Sequence, residues 1–359
     1  MQNRLSKKQR WFKNVILKPK DRVFVGLDVH KRSISVAIWH NDRLAVAYQL
    51  STNVSTLQRD LKRLQPALRR VVYEAGPTGY GLARTLGRAG IPIEVISPAN
   101  TPRPSKRTSK TDSLDCRTLA EYASKNMLHP ITLPTEDEEQ ERQWMRLRDQ
   151  LMRKQRRVCQ QIKSFLLQYG IAEPMGLQNW TVAAVQKLQR LRISVQLRFT
   201  LDRYLEEFHF LRDQLQQVKH QLQALGRQAH HRQAIEILQS HPGVGWVTAW
   251  SFRLEVFRPE RFDTAAQVSA YLGLSPQIQE SGETRRDGPI TKTGRPALRS
   301  LLIEAAWIWI RQDPMARKTY GRLCRNTGQP NKAIVGMARR LTIHLWRMLV
   351  THRPYRPSA

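Results

Sequence analysis

The chain has few acidic residues, few cysteines and no long apolar run. Only 29 aspartates and glutamates stand against 60 lysines and arginines in 359 residues, for a formal net charge of +31. This imbalance argues against a generic metabolic enzyme and indicates a polyanionic partner, most often nucleic acid. The three cysteines lie far apart and form no CxxC pair, so the sequence indicates neither a disulfide framework nor a thiolate zinc site.

Membrane-directing segments are also missing from the sequence. The apolar stretch that begins at Val23 is interrupted by Asp28, and the longest apolar segment, 301–310, contains Glu304 and is too short to span a bilayer. We therefore expect a soluble, cytoplasmic protein in a reducing compartment, with no membrane partner.

Composition and periodicity divide the chain into five regions. Residues 1–20 carry seven lysines and arginines and no acid, which predicts a basic arm, either disordered or ordered by nucleic acid. Residues 21–130 alternate strand and helix patterns, as an α/β domain does. The remaining regions are a helical linker, a mostly helical C-terminal domain and a basic tail, at residues 131–230, 231–345 and 346–359.

The linker contains a heptad pattern. Apolar side chains recur in alternating steps of four and three residues between Leu197 and Leu225, which predicts a coiled coil. A weaker repeat of the same kind runs from Trp144 to Phe165. The two helices can pair within one chain or between chains, and the sequence leaves both open.

Four carboxylates stand at informative places. Asp28 and Glu74 each end a predicted strand, while Asp112 and Asp115 are three residues apart in a predicted helix and share one of its faces. Clustered carboxylates supply the hard oxygen ligands that hold Mg²⁺ or Mn²⁺ for phosphoryl transfer. Each acid taken alone has an ordinary alternative, either a salt bridge or a helix cap.

Two glycine-containing segments in the C-terminal domain are candidate phosphate-binding sites. The turn Pro242-Gly-Val-Gly245 resembles a helix-hairpin-helix turn, in which backbone N–H groups hold a DNA phosphate. In the second segment, Ser281 stands between Glu280 and a glycine, and Arg285, Arg286 and Lys292 follow. A serine in this setting is a candidate nucleophile, although most Ser-Gly pairs are simple turns.

Taken in order, these motifs resemble one family. They are Val25-Gly-Leu-Asp28-Val-His-Lys31, Tyr73-Glu74-Ala-Gly-Pro-Thr-Gly79, Lys110-Thr-Asp112-Ser-Leu-Asp115, His241-Pro-Gly-Val-Gly245, Ala270-Tyr-Leu-Gly-Leu-Ser-Pro276, Glu280-Ser281-Gly282 and Ile290-Thr-Lys-Thr-Gly294. The set is similar to that of the IS-one-ten family of insertion-sequence transposases, over about residues 22–345.

This resemblance implies an RNase H-like, RuvC-type N-terminal domain whose DEDD quartet matches Asp28, Glu74, Asp112 and Asp115. It also implies a nucleophilic serine at Ser281. The expected partners are donor and target DNA, a structured noncoding guide RNA (bridge RNA) and further copies of the chain, as a dimer or tetramer. The host would be a bacterium or archaeon, with the protein at the nucleoid. We expect nucleic-acid contacts at Lys31, Arg103, Lys106, Arg107, Lys110, Gly243, Gly245, Arg285, Arg286, Lys292 and Arg295.

The sequence therefore predicts an α/β plus α protein that cuts and rejoins DNA under RNA guidance through a metal-assisted phosphoserine intermediate. The first alternative is a metal-dependent junction endonuclease in which water attacks and Ser281 is structural. The second is a packaging protein for RNA or DNA, which the charge permits but which gives no reason for four acids at those places.

Overall fold

The computed structural model of the protein describes residues 6–98, 101–102, 116–281 and 284–357, and its side-chain description excludes residues 278–287. The chain forms two compact units that divide between Leu133 and Pro134. Within the described ranges, no helix combines the length and apolar character that a bilayer crossing requires.

In its described part, the first unit has a five-stranded mixed sheet and four helices. The strands are β1 (Val23–Val29), β2 (Ser33–His40), β3 (Arg43–Ser51), β4 (Leu68–Glu74) and β5 (Ile93–Ile96). The helices are α1 (Lys7–Asn14), α2 (Val54–Lys62), α3 (Gly81–Arg88) and α4 (Cys116–Ser124). The strand order is β3–β2–β1–β4–β5, with β1–β2 and β2–β3 antiparallel and β1–β4 and β4–β5 parallel.

Local sequence accounts for the sheet. Val23, Val25 and Leu27 of β1 are fully buried on one face, because successive side chains of a strand point to opposite sides. The β2–β3 hairpin turns at Asn41 and Asp42, whose φ angles of 44° and 66° suit a two-residue type I′ turn. The predicted strands that include Val23–Asp28 and Arg70–Glu74 are confirmed as β1 and β4.

The basic arm is partly folded, which corrects the expectation of a tail that is disordered or orders only on nucleic acid. Helix α1 begins with a capping box between Ser6 and Gln9. Its Phe12 is only 7% exposed and packs into the core of the first unit. Lys8 pairs with Asp60 of α2 at 2.5 Å. Residues 7–14 are therefore a structural part of this unit.

The second unit is mostly helical. Its helices are α5 (Glu136–Gln168), α6 (Val182–Gln189), α7 (Val195–Leu225), α8 (Ala229–Gln239), α9 (Trp246–Val256), α10 (Ala265–Tyr271), α11 (Pro296–Gln312), α12 (Pro314–Thr327) and α13 (Pro330–Thr351). Two strands, β6 (Pro276–Ser281) and β7 (Thr284–Ile290), form an antiparallel hairpin. Helix α13 runs to Thr351, so the last helix continues into the region that the sequence analysis assigned to the basic tail.

The heptad pattern is satisfied within the chain. Helix α7 packs against α5, and its Leu201, Phe208 and Leu222 are buried in the same core as Val158 and Ile162 of α5. A capping box at Thr135 starts α5, and four acidic residues in its first turn complement the helix dipole. The intrachain pairing that the sequence left open is therefore present in the structure.

A buried ion pair ties α5 to the helices of the C-terminal region. The Arg142 guanidinium donates to the Glu255 carboxylate at 2.8 Å, and both side chains are more than 90% buried. Arg295 lies 3.9 Å from the second Glu255 oxygen and also pairs with Asp149. Burial and the neighbouring Glu255 carboxylate raise the pKa of Tyr271, so its hydroxyl stays protonated and donates to the Glu255 backbone carbonyl at 3.2 Å.

We expect Glu255→Ala to lower the free energy of unfolding of the second unit by about 3–5 kcal/mol, because it removes the carboxylate that accepts from the buried Arg142 guanidinium. The double variant Glu255→Leu/Arg142→Met removes both charges and should regain most of that loss. Thermal and urea unfolding measure both variants. A double variant no more stable than Glu255→Ala would contradict this role for the pair.

Candidate active site and nucleic-acid surface

Asp28 and Glu74 are neighbours at the ends of adjacent parallel strands. Leu27 of β1 pairs with Tyr73 of β4, so the next residues on each strand, Asp28 and Glu74, stand side by side about 5 Å apart. Asp28 lies four residues after Phe24, and Glu74 lies two residues after Val72, so each acid is on the same sheet face as that apolar residue. Phe24 and Val72 belong to the cluster packed under α4. Both acids therefore lie on the α4 face of the sheet.

Polar residues continue this row across the sheet. Asp28 pairs in register with Ser35 of β2, which in turn pairs with Gln49 of β3. The Asp28 side chain is 26% exposed, and its Oδ2 lies 3.0 Å from Nε2 of His30. Since the row is partly open to solvent and carries carboxylates at its centre, it is a candidate site for a cation and a phosphate.

Helix α4 is seated on this face by a glycine. A Cβ on Gly26 would lie 2.0 Å from the Cys116 carbonyl oxygen and 2.6 Å from the Ala120 nitrogen. Its register partners across the sheet, Ala37 and then Ala47, are also small. Cys116, the first described residue after the two predicted aspartates, therefore lies against the strand that carries Asp28.

We expect Gly26→Ala to displace α4 as a whole, because the added methyl meets backbone atoms of the helix, which cannot move aside as a flexible side chain would. The predicted cost is about 1–3 kcal/mol of stability, or more if the backbone does not relax, together with loss of strand cleavage. Gly87→Ala is the matched control, since Gly87 lies within α3 and has nothing near its Cβ position. Thermal unfolding and a cleavage assay compare the two. Unchanged stability in Gly26→Ala would contradict the seating of α4.

The other two acids of the predicted quartet, Asp112 and Asp115, lie outside the described residues. Among the residues that are described, no group of three or more metal-binding side chains is gathered. The chemistry of Asp28 and Glu74 nevertheless fits a divalent cation, because two hard carboxylate ligands stand side by side on one open face.

Lys31, a predicted nucleic-acid contact, follows the last residue of β1 by two positions. It is exposed and, with His30, Pro77 and Thr78, lines a cavity of about 510 Å³. The turn after β4 is held by the Tyr73 hydroxyl, which donates to the Gly79 carbonyl at 3.2 Å. Val29, Ile34 and Leu82 also line this cavity, and they pack with the core on the sheet face opposite α4, so the cavity lies on the other side of the sheet from Asp28 and Glu74.

Ser281 is the last residue of β6, at the tip of the β6–β7 hairpin. Its backbone pairs in register with Thr284. The Ser-Gly pair was compatible with a simple turn, and the two strands that flank it were not predicted. Arg285 and Arg286 belong to β7, and their side chains, like that of Ser281, fall outside the side-chain description.

The base of the hairpin is locked by two of the sequence motifs. A Cβ on Gly273 would lie 2.2 Å from the Thr293 carbonyl oxygen, so the Leu-Gly-Leu and Thr-Lys-Thr-Gly segments touch through their backbones. The Thr293 hydroxyl donates to the Ala270 carbonyl at 2.8 Å. Arg299 of α11 is 9% exposed and donates to the carbonyls of Thr293 and Leu272. This clamp fixes where the hairpin leaves the helical core.

The predicted helix-hairpin-helix turn lies between α8 and α9. Gly243 has a φ of 86°, and a Cβ there would lie 2.3 Å from the Ala305 carbonyl oxygen of α11, so this glycine permits close helix packing. Gly245 is the exposed N-cap of α9, with open space around it. Burial lowers the pKa of His241 to about 4, so this ring is neutral at physiological pH.

The remaining predicted cations have different surroundings. Lys292 is exposed at a left-handed position with a φ of 56°. The Arg295 guanidinium is engaged by Asp149 and by the Met145 carbonyl at 3.0 Å. Four further predicted contacts lie outside the described residues: Arg103, Lys106, Arg107 and Lys110.

Sequence reasoning missed three partners in these sites. The contact between His30 and Asp28 could have been predicted, because residues two apart in a strand share a face and His30 stands two residues after Asp28. The Arg299 clamp and the Arg142–Glu255 pair join segments far apart in the chain, and no local pattern signals them.

Two family profiles match the chain. A profile described as "Transposase IS116/IS110/IS902 family" matches residues 235–321, and a DEDD transposase profile of the IS110 type matches residues 25–171. The transposase candidate y4qE of Sinorhizobium fredii is 30% identical over 296 residues, covering 80% of this chain and 71% of that protein.

Two further relatives are named for their mobile elements. The transposase for insertion sequence element IS1533 of Leptospira borgpetersenii is 28% identical, over 80% of this chain and 85% of its own length. The transposase for element IS1111A of Coxiella burnetii is 26% identical, over 80% of each chain. The chain thus belongs to the IS110 family of insertion-sequence transposases, enzymes that act on DNA.

Proposed function

We propose that this transposase cuts and rejoins donor and target DNA through a covalent phosphoserine intermediate at Ser281, guided by a structured noncoding RNA. The observation that carries the proposal is the pairing of Leu27 with Tyr73 on adjacent parallel strands, which brings the next residues, Asp28 and Glu74, side by side. They share the sheet face on which α4 is seated, and α4 follows directly after Asp112 and Asp115 in the sequence.

The first unit supplies the carboxylates. The strand order β3–β2–β1–β4–β5 is that expected of an RNase H-like domain, with the first three strands antiparallel and the others parallel to β1. In this proposal Asp28, Glu74, Asp112 and Asp115 hold Mg²⁺ or Mn²⁺. The bound cation would offset the charge that develops on the phosphate. His30 orients the Asp28 carboxylate through its ring nitrogen.

The second unit supplies the nucleophile. The Ser281 hydroxyl loses its proton and its oxygen bonds to the scissile phosphorus, while the bond from phosphorus to the sugar oxygen breaks and that oxygen takes up a proton. The number of phosphoester bonds is unchanged, so the reverse step can reseal a strand without an external energy source. Arg285, Arg286 and Lys292 steady the phosphate, and the Arg299 clamp positions the hairpin.

The proposed partners follow from the charge of the chain and from the number of strands that recombination must cut. A net charge of +31 suits a protein that binds DNA and RNA together. Lys31, Gly243, the exposed Gly245 turn and Arg295 are the proposed contacts among the described residues, and Arg103, Lys106, Arg107 and Lys110 are proposed from the sequence alone. A dimer or tetramer would provide the several active sites that exchange of two duplexes requires.

The experiment is a recombination assay with purified protein, plasmids carrying the element end and the target, and RNA transcribed from the element's noncoding end. We expect joined products only with all components and a divalent cation. Cleavage without rejoining, independent of that RNA, would instead favour the water-attack endonuclease.

A further inference from the structure

A basic groove runs along the outer edge of the sheet, away from the carboxylate row. It lies between α1 and β3, has a volume of about 790 Å³, and reaches Arg117 of α4. Its basic side chains come from four separate elements: Lys7 and Arg10 of α1, His40 of β2, Arg43 of β3 and Arg117 of α4. Among the described residues that line it, none is acidic. The groove therefore presents a concentrated positive surface to a ligand.

The floor of this groove is apolar and open. Ile16 is 84% exposed and Leu44 is 40% exposed, so two large aliphatic side chains meet solvent within one groove. Trp11 lies beside them, with its ring centroid 6.5 Å from that of His40. A half-buried aromatic ring next to exposed aliphatic groups, edged by cations, matches the requirements of unpaired nucleotides. Their bases need flat apolar contacts and their phosphates need positive charge.

At Ala47 the groove meets the sheet face that carries the carboxylate row. Ala47 lines it and lies two residues before Gln49, which belongs to the row that contains Ser35 and Asp28. By strand geometry, two residues along β3 and two strands across place Asp28 about 12 Å from Ala47. A strand leaving the groove over α4 can therefore reach the carboxylates within two or three nucleotides' length.

We propose that the α1–β3 groove holds a single-stranded segment of nucleic acid and leads it toward Asp28. The inference rests on the proposed function for the nature of the polymer and adds a site to it. Double-stranded nucleic acid presents no free bases to the apolar floor, so the groove favours an unpaired strand. The same chemistry suits RNA or DNA, and the experiment below separates these sources. A polypeptide strand pairing with the β3 edge would not need the cations.

The test uses photo-crosslinking of the full-length protein in the Asp28→Asn background, so that its outcome does not depend on cleavage. The probes are 12-nucleotide RNA and DNA oligomers carrying 4-thiouridine or 4-thiothymidine, with a 12-base-pair duplex for comparison. We expect crosslinks in the peptides that contain Ile16 and Leu44. Labelling by RNA alone would identify the guide as the occupant, and labelling by either single strand would identify a general single-strand site.

The variant Lys7→Gln/Arg43→Gln removes two phosphate contacts. It should reduce the salt dependence of these crosslinks by about 1.4 in logarithmic slope, a loss of about 25-fold at 0.1 M salt relative to 1 M. Lys13→Gln/Lys20→Gln is the matched control, with the same charge change at residues that do not line the groove. Equal effects of the two variants, equal labelling by the duplex, or no crosslinks in these peptides would overturn the proposal.

Discussion

Asp28→Asn is expected to reduce strand cleavage by about a thousandfold or more while leaving DNA binding within about twofold. The substitution keeps the size and polarity of the side chain but removes the charge next to Glu74. Cation-assisted stabilisation of a phosphoryl transition state is worth several kcal/mol, and each 1.4 kcal/mol is about tenfold in rate. DNA binding depends on lysines and arginines distributed over the chain and is insensitive to one carboxylate.

The matched control for this variant is Asp42→Asn. Asp42 lies in the β2–β3 turn of the same sheet, is exposed, and pairs with Arg22 on the surface. Gel-based cleavage of a labelled duplex in Mg²⁺, with filter binding on the same preparations, measures both quantities. Cleavage by Asp28→Asn at the rate of Asp42→Asn would contradict the carboxylate assignment.

Ser281→Ala is expected to abolish both cleavage and rejoining, to about 10⁴-fold below the parent rate, because the nucleophile itself is removed. The fold should be unaffected, since the residue lies at the tip of a hairpin whose base is held by Gly273, Thr293 and Arg299. If Ser281 were only a turn residue, the alanine variant would cut at nearly the parent rate, with water as the nucleophile.

Ser275→Ala is the matched control for Ser281→Ala. Ser275 immediately precedes the same hairpin, and its backbone carbonyl accepts from the Thr291 N–H at 2.9 Å, a contact that loss of the hydroxyl leaves in place. Recombination and nicking assays should show parent-like rates for this variant. Equal losses in both variants would indicate a structural effect on the hairpin in place of lost nucleophilic chemistry.

Local pattern was sufficient to predict most of the first unit. Apolar runs predicted the two strands that end at Asp28 and Glu74, which the structure confirms as β1 and β4, and the ends of these strands bring the two acids together. The two acids lie side by side because β1 and β4 are adjacent parallel strands. A predicted helix between two predicted strands indicates from sequence that the strands are parallel. What could not be predicted was the register, which depends on contacts between distant segments.

The β6–β7 hairpin and helix α1 were not predicted, because polar or charged residues dominate both segments. The β6–β7 hairpin has mainly polar residues on both strands, so it carries no alternating apolar pattern. Its one sequence signal is the glycine that comes first of the two residues between Ser281 and Thr284, the position that glycine favours in a type II′ hairpin turn. Helix α1 was hidden by its charge. Its capping box at Ser6 and the apolar Phe12 are the features that fold it onto the sheet.

The heptads of α7 show the limit of periodicity as a predictor. The repeat predicts an apolar stripe, and the stripe is buried as expected, but the partner is not encoded in the spacing. Helix α5 of the same chain fills that role through residues such as Val158 and Ile162. The weaker repeat on α5 was the sequence feature that allowed this solution.

The central claim is that Ser281 becomes covalently joined to DNA, and peptide mapping of the trapped adduct tests it most directly. The protein is reacted with a labelled nicked substrate, denatured, digested with trypsin and analysed by fragmentation mass spectrometry. The relevant peptide, residues 262–285, also contains Ser269 and Ser275, so fragment ions must locate the modification. The account predicts a nucleotide on Ser281 that disappears in Ser281→Ala and in Asp28→Asn. A modification on another residue, or efficient cleavage with no adduct, would contradict it.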